Sequence, residues 1–299
     1  YSCSILGLAA FIISNFIGFS QSLTYCITNR PKLMLNMGGY AGFPAAVAAY
    51  ILGIPIIIHE ANAMPGKSAK LLAHYSKIVT VSFPDDAHVF RDKAKFIGNP
   101  IRPSIGKVSK EEAVKRLGLR SDAFTISVMG GSQGALNLNT MIPELAKKLS
   151  GTVQIIHLTG ERDHERIMKT VADMKLDHYK VISYLDDPSS IYAASDLIIS
   201  RSGAGAVTEI AACGIPAIFI PYPYAADNHQ QINASYFSDQ SAAITIKENE
   251  LSVDNIYSII LSFIDSPHLL QDMRRKMSKL GNIDAAAKLA DIIDKELLH

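Results

Sequence analysis

Three glycine-rich turns contain the residues best suited to chemistry in this 299-residue sequence. Each turn follows a short apolar run and precedes a helical pattern. A turn of this kind presents backbone N–H groups and the positive end of a helix dipole, which suit a phosphate. Any one turn could be only a tight connection, but three in one chain favour a phosphorylated ligand. The turns are Gly38-Gly39, Gly130-Gly131-Ser132 and Ser202-Gly203-Ala204-Gly205.

Several other kinds of site lack the motifs they require. No turn matches the G-x-G-x-x-G of dinucleotide-binding proteins, and the G-K-S at residues 66–68 is no P-loop because Ala61 stands where the first glycine belongs. No D-x-D or G-x-S-x-G occurs. Cys3, Cys26 and Cys213 have no metal-ligand or disulfide spacing and are expected to be free thiols. With 29 basic and 28 acidic residues, the chain has no basic field for nucleic acid. The sequence predicts neither a metal site nor a nucleic-acid partner.

The glycine turns are embedded in a repeating pattern of apolar strands and helices. Continuous apolar runs such as IPIIIHE and DLIIS are typical of strands buried on both faces of a parallel sheet. Two such series, separated near residues 99–121, predict an α/β fold with two doubly wound, Rossmann-like parallel-sheet domains facing a cleft. In the separating region, Ser109 and Glu112 predict a capping box at a helix start. The expected domains are 1–102 and 103–282, with a C-terminal helix at 283–299 packing back toward the first domain.

The N-terminal segment is apolar and contains no charged residue before Arg30. Its most apolar part, residues 5–19, is interrupted by Ser14 and Asn15 and is shorter than the roughly 20 residues of a membrane-spanning helix. It also lacks the basic start of a signal peptide. We expect a helix that is either buried or lies on a membrane surface.

Four longer strings resemble a known family. They are GGYAGFPAAVAAYILGIPIIIHEANAMPG, FIGNPIR, MGGSQGALNLN and RSGAGAVTEIAACGIPAIFIPYPYAADNHQQINA, and they span residues 38–234. By these strings the chain resembles the bacterial peptidoglycan N-acetylglucosaminyltransferases, the MurG family. The resemblance implies a GT-B glycosyltransferase fold and no cofactor. It implies inverting transfer of N-acetylglucosamine from UDP-N-acetylglucosamine to undecaprenyl-pyrophosphoryl-N-acetylmuramoyl-pentapeptide, the lipid I to lipid II step of peptidoglycan synthesis. It also implies a peripheral enzyme on the cytoplasmic face of the bacterial inner membrane.

The resemblance also assigns roles to residues at matching positions, with the donor mostly on the C-terminal domain. Glu209, one turn inside a helix, would accept hydrogen bonds from both ribose hydroxyls. Leu185 would line the uracil pocket through its backbone, and the Gln230 and Asn62 amides would face the transferred sugar. Arg201 would either fix the shape of the adjacent glycine turn or approach the nucleotide. The implied substrate-binding residues are Asn62, Arg102, Ser132, Leu185, Ala204, Gly205, Ala206, Val207, Thr208, Glu209 and Gln230, with Arg201 and Asn233 as further candidates.

One element of the family pattern does not occur in the sequence. Members normally open with a loop close to GGTGGH, whose histidine is a candidate base, so we expect this chain to be truncated by at least one βαβ unit. The catalytic base is therefore unassigned. His59 and Glu60 are candidates by their place at a strand end, although support of the loop around Asn62 is the favoured role. Three alternatives stay open: a donor-binding subunit that needs a separate partner, an inactive truncated remnant, and a UDP-N-acetylglucosamine epimerase of the same fold.

Overall fold

The computed structural model of the protein describes residues 5–84, 87–131, 135–149 and 153–298. The helices are α1 Ile5–Asn29, α2 Phe43–Ile51, α3 Lys67–Leu72, α4 Ala87–Phe90, α5 Lys110–Leu117, α6 Leu136–Leu149, α7 His164–Asp173, α8 Ser189–Ala194, α9 Ala204–Ala212, α10 His229–Ser238, α11 Val253–Asp265, α12 Pro267–Leu280 and α13 Ala285–Leu297. The strands are β1 Met34–Asn36, β2 Ile56–Glu60, β3 Ile78–Val81, β4 Ala94–Phe96, β5 Phe124–Met129, β6 Val153–Leu158, β7 Tyr179–Ile182, β8 Leu197–Ser200, β9 Ala217–Phe219 and β10 Ala243–Thr245.

Residue contacts divide the chain into two compact units. Unit 1 is Tyr1–Pro100 together with Asp284–His299, and unit 2 is Ile101–Ile283. Both units contain a parallel sheet with helices, so the predicted fold of two parallel-sheet α/β domains is confirmed.

Unit 1 is built on a four-stranded parallel sheet in the order β1-β2-β3-β4. All five residues of β2 are buried, as expected for a strand covered on both faces. Apolar side chains of α2 and α3 pack with Ile56 and Ile58. In a second apolar cluster, Leu289 of α13 packs with Ile57, Ile78 and Ile97. The C-terminal helix therefore contributes to the core of unit 1.

Unit 2 contains a six-stranded parallel sheet in the order β10-β9-β8-β5-β6-β7. The chain runs outward from β5 through β6 to β7 and then returns to β8 on the other side of β5, so the winding direction changes between β5 and β8. Crevices at such a switch point are the usual ligand sites of open α/β sheets. Half of the capping box predicted at the start of α5 is present: the Ser109 hydroxyl accepts from the Glu112 N–H at 3.2 Å, whereas the Glu112 carboxylate accepts from Arg116.

Helix α1 is longer and more exposed than the sequence pattern indicated. Its segment Ala10–Asn29 has a mean hydropathy of 1.3, and none of that segment is buried. By length and composition alone, the segment could cross a membrane. The expectation of a run too short for a span was wrong, because polar residues do not interrupt the helix. The Asn15 amide donates to the Phe11 carbonyl and the Ser20 hydroxyl to the Phe16 carbonyl, so their polar groups are satisfied within the helix.

Side chains of α1 are not buried by the described part of the chain. Phe11, Ile13 and Phe16 are each more than half exposed. The helix packs on α2, and a Cβ on Gly18 would lie 3.6 Å from the Pro44 ring. One side of α1 therefore rests on unit 1, while a large apolar surface stays uncovered by the described residues.

Candidate active site

A cavity of about 300 Å³ lies in unit 2 at the switch point of its sheet. It collects the segments that follow β5, β6 and β7 and the first turns of α9. Five of the residues implied by the resemblance line it, together with Tyr192, which the sequence did not single out. These residues are Arg102, Leu185, Tyr192, Gly205, Ala206 and Glu209.

The N-terminus of α9 presents backbone donors at this cavity. Its N-cap residue, Gly203, makes no side-chain capping bond, and the first intrahelical bond is from the Val207 N–H to the Gly203 carbonyl at 3.1 Å. The preceding N–H groups, including those of Gly205 and Ala206, have no acceptor one turn earlier in the helix. A Cβ placed on Gly205 would meet nothing within 4 Å, so a ligand can approach the backbone closely. The arrangement suits a diphosphate.

The Glu209 carboxylate lies one turn further along α9 and is nearly buried. Its Oε1 accepts from Arg102 Nη1 at 2.6 Å, and its Oε2 accepts from the Tyr192 hydroxyl at 3.0 Å. Burial, reinforced by the charge of Glu209, raises the pKa of Tyr192 well above its ordinary value, so the phenol stays a donor. Since a carboxylate offers about four acceptor positions, one on each oxygen stays available for a ligand.

Two other residues of the implied set, Val207 and Thr208, do not line the cavity. Val207 is fully buried, and the Thr208 hydroxyl donates to the Ala204 carbonyl at 2.7 Å, so both side chains support α9 itself. Ser132 lies outside the described residues.

Residues of α10 hold the chain that leads into α9. The Asn233 side chain is fully buried and donates to the Ser202 carbonyl at 3.1 Å. The Ser202 hydroxyl donates to the Gln230 carbonyl at 2.8 Å, while Gln230 Oε1 accepts from the Tyr222 N–H at 3.0 Å. Asn233 is thus placed to fix the glycine turn, and Gln230 connects that turn to the segment after β9.

Arg201 also acts on the segment after β9. Its Nη1 donates to the Ile220 and Pro221 carbonyls at 3.1 and 3.3 Å and to Glu248 Oε2 at 2.7 Å. The guanidinium lies 5.5 Å from the centre of the Tyr222 ring. The sequence predicted that Arg201 either fixes the glycine turn or approaches the nucleotide, but these contacts show its guanidinium fixing the segment after β9 instead.

The two catalytic candidates of unit 1 are held by hydrogen bonds. His59 is fully buried, with its ring nitrogens about 3 Å from side-chain oxygens of Thr80, Ser82 and Asn99, and burial lowers its pKa. Glu60 accepts from the Asn62 N–H and side-chain amide and, through Oε2, from the Gly66 N–H at 3.0 Å. These contacts favour the supporting role, with Glu60 shaping the loop that carries Asn62.

A second hydrogen-bonded network in unit 2 was not indicated by the sequence. The fully buried Asn139 accepts from His157 at 2.9 Å and donates to the Thr159 carbonyl at 2.9 Å, which holds the turn before Gly160 at the cavity. The other ring nitrogen of His157 accepts from the Tyr179 hydroxyl at 2.5 Å, and burial lowers the pKa of His157 to about 3. The sequence did contain one sign of this network, because a histidine stands within the otherwise apolar strand VQIIHL and a buried polar side chain needs hydrogen-bond partners.

Comparison with known proteins agrees with this geometry. The N-terminal domain of glycosyltransferase family 28 matches residues 5–81, and the C-terminal domain of that family matches residues 125–294. The chain belongs to glycosyltransferase family 28. The predicted family is thereby confirmed.

Two curated relatives are more than a third identical to the chain over the aligned regions. A protein of Thermoanaerobacter sp. (strain X514) is 36% identical over 94% of this chain and 79% of its own length, and one of Halothermothrix orenii is 37% identical over 93% and 78%. Both are named UDP-N-acetylglucosamine--N-acetylmuramyl-(pentapeptide) pyrophosphoryl-undecaprenol N-acetylglucosamine transferase.

Solved structures of this fold include a family member and an epimerase. The crystal structure of Acinetobacter baumannii MurG matches with a TM-score of 0.76 and 28% identity, over 93% of this chain and 77% of that protein. The Neisseria meningitidis UDP-GlcNAc 2-epimerase, bound to UDP-GlcNAc, matches with a TM-score of 0.67 and 16% identity, over 100% and 82%. At 16% identity the epimerase shows only that the fold is the same, whereas the family 28 relatives also resemble this chain in sequence.

Proposed function

We propose that this chain transfers N-acetylglucosamine from UDP-N-acetylglucosamine to a polyprenyl-pyrophosphoryl-N-acetylmuramoyl-pentapeptide. The observation that carries the proposal is the cavity of unit 2, where the open N-terminus of α9 and the Glu209 carboxylate lie one helical turn apart. A nucleoside diphosphate has an anionic group and a ribose at a similar spacing. Membership of family 28, with relatives named for this transfer, supports the same substrate pair.

In this proposal the donor binds by contacts along the cavity. The segment with Leu185 lines the uracil, Glu209 accepts from the ribose hydroxyls, and the N–H groups at the start of α9 hold the diphosphate. Gln230, on α10, is bonded to the segment that Arg201 fixes and lies toward the transferred sugar. Fixed N–H donors and the helix dipole stabilise the charge that develops as UDP leaves, which lowers the barrier to transfer.

The proposed reaction is a direct displacement that inverts the anomeric centre. An acceptor hydroxyl oxygen forms a bond to the anomeric carbon, and the bond from that carbon to the diphosphate oxygen breaks, its electron pair leaving with UDP. The hydroxyl proton passes to a general base. Neither His59 nor Glu60 is proposed as that base, because both are committed to hydrogen bonds that shape unit 1.

The first test is donor binding by the purified chain. Calorimetry with UDP-N-acetylglucosamine, UDP-N-acetylgalactosamine and UDP should give tightest binding of the first, accompanied by a cooperative thermal melt. Glu209→Gln should weaken all three by roughly tenfold, the loss of about one charged hydrogen bond. Glu165→Gln, an acid on the surface of α7, is the matched control and should change nothing. A cooperatively folded chain that bound none of the ligands would refute the donor site and favour an inactive remnant.

The second test is transfer to a lipid-linked acceptor. Release of UDP together with a disaccharide product would support the full activity. Donor binding without transfer, restored by adding a protein that carries the GGTGGH loop, would instead support a donor-binding subunit. Release of a free epimerised sugar nucleotide would identify an epimerase.

We further propose that α1 attaches the protein to the cytoplasmic face of the bacterial inner membrane as a peripheral protein. The support is its uncharged, exposed apolar surface, followed directly by Arg30 and Lys32. An apolar helix face with basic residues beside it binds anionic lipid surfaces.

Vesicle flotation tests this attachment. Phe16→Glu should greatly reduce flotation with vesicles containing phosphatidylglycerol, because it places a charge where burial in lipid is proposed. Leu269→Glu, which alters an exposed apolar side chain of α12, is the control and should float normally. Release of the wild type by alkaline carbonate would support peripheral attachment, and retention would indicate a spanning helix.

A further inference from the structure

The Glu209 carboxylate is held from two sides by groups of different character. Tyr192, on α8, is almost completely buried and donates to Oε2 at 3.0 Å. Arg102 donates to Oε1 at 2.6 Å, but its side chain is 50% exposed. The tyrosine is therefore the fixed partner, and the arginine is the solvent-facing one.

These two donors determine where the free acceptor positions of the carboxylate point. A carboxylate has about two acceptor positions on each oxygen. Tyr192 and Arg102 each occupy one, which leaves one on Oε1 and one on Oε2. Two neighbouring ribose hydroxyls can fill that pair only if the plane of the carboxylate is fixed. Rotation about the last side-chain torsion of a glutamate is broad, so an external contact must fix it.

We propose that Tyr192 is a positioning residue whose hydroxyl sets the plane of the Glu209 carboxylate, so that the site selects ligands with an intact ribose. The inference rests on the donor site proposed above and deepens it. Tyr192 does not touch the ligand's hydroxyls in this scheme; it acts through Glu209. Tyr192 itself lines the same cavity, so one residue both contacts Glu209 and borders the ligand space.

The test compares UDP with 2′,3′-dideoxy-UDP, which lacks both ribose hydroxyls. The wild type should prefer UDP by about 100-fold, the loss of two hydrogen bonds to a charged acceptor. Tyr192→Phe keeps the ring and removes only the hydroxyl. It should weaken UDP binding by about tenfold and leave dideoxy-UDP binding unchanged, so that the preference falls to about tenfold.

Tyr179→Phe is the matched control. Tyr179 is a second buried tyrosine of unit 2 whose hydroxyl contacts His157 and not Glu209. The variant should lose stability, but its preference for UDP should stay at the wild-type value. A general loss of packing would move both ligands together, whereas the proposed role moves UDP alone.

Three outcomes separate the claims. If the wild type bound UDP and dideoxy-UDP equally, the ribose role of Glu209 would be wrong, and this inference with it. If the wild type discriminated and Tyr192→Phe discriminated equally, only the role of Tyr192 would be overturned. In a Glu209→Ala background, Tyr192→Phe should no longer alter the preference, and a remaining effect would contradict action through Glu209. If a thermal melt showed that Tyr192→Phe does not fold, Tyr192→Met, which adapts its flexible side chain to the space and has no hydroxyl, would carry the same expectation.

Discussion

Replacing Asn139 by alanine should strongly destabilise unit 2. The Asn139 amide makes three hydrogen bonds in a fully buried position, accepting from His157 at 2.9 Å and donating to the Thr159 carbonyl at 2.9 Å and to Asp163 at 2.8 Å. Asp163 keeps two bonds from Arg166 after the substitution. The groups left without a hydrogen-bond partner, and therefore destabilising, are the His157 N–H and the Thr159 carbonyl.

The magnitude follows from these two buried groups. Each buried polar group that loses its partner costs about 1–3 kcal/mol, so we expect a loss of about 3 kcal/mol in the free energy of unfolding. With a urea slope of about 2 kcal/mol per M, the unfolding midpoint should fall by roughly 1.5 M. Affinity for UDP should fall as well, because the Thr159 carbonyl directly precedes Gly160 at the cavity.

Urea unfolding followed by circular dichroism measures the shift. Asn137→Ala is the control, since Asn137 lies on the same helix but is exposed and donates to Glu248 at 2.6 Å. That variant should cost no more than about 0.5 kcal/mol, because water can take the place of the exposed Asn137 amide. If the two variants had equal midpoints, the buried network could not be holding the turn before Gly160.

Three further perturbations have defined outcomes. Burial lowers the pKa of His157 to about 3 from an ordinary 6.5. Below pH 6.5 the unfolded chain therefore binds a proton that the native state does not, so the free energy of unfolding is undiminished above pH 6.5 and decreases as the pH falls toward 3. Between pH 6.5 and 5 the loss should be about 2 kcal/mol in urea titrations, and His157→Gln should flatten that slope; an unchanged slope would exclude His157 as its source. Gly281→Ala should destabilise by about 1–3 kcal/mol, since the new Cβ would lie 2.3 Å from the Ala211 carbonyl oxygen, and a wild-type melting temperature would refute that close packing of α12 on α9. Gly205→Ala should keep or slightly raise stability, because its Cβ meets nothing, yet weaken UDP binding about tenfold in calorimetry; unaltered affinity would mean that the diphosphate lies elsewhere.

Local features of the fold were predictable because local sequence determines them. The Ser109 cap needs only a hydroxyl three residues before an N–H, and the buried strand β2 needs only a continuous apolar run. The length of α1 was not predicted because Ser14 and Asn15 look like interruptions in the sequence, although the Asn15 side chain bonds back to the helix.

The candidate site was predictable only in part. The start of α9 and Glu209 could be located from a glycine turn and a family resemblance. The partners of Glu209 could not, because Arg102 is 107 residues away and Tyr192 comes from a different helix. Such contacts depend on the order of strands in the sheet, which apolar runs alone do not specify. The same limit applies to Asn139 and His157, which meet only because α6 packs beside β6.

The division of the chain into units has a consequence for the order of its synthesis. Unit 2 is one continuous segment, so all its strands have been made when residue 283 leaves the ribosome. Unit 1 is formed by two segments, one before and one after unit 2 in the chain. Leu289, in the later segment, completes an apolar cluster with Ile57, Ile78 and Ile97. The nascent chain therefore holds an unfinished first unit, with those isoleucines uncovered by α13, throughout translation of the second. The unit that is begun first is the last to be finished.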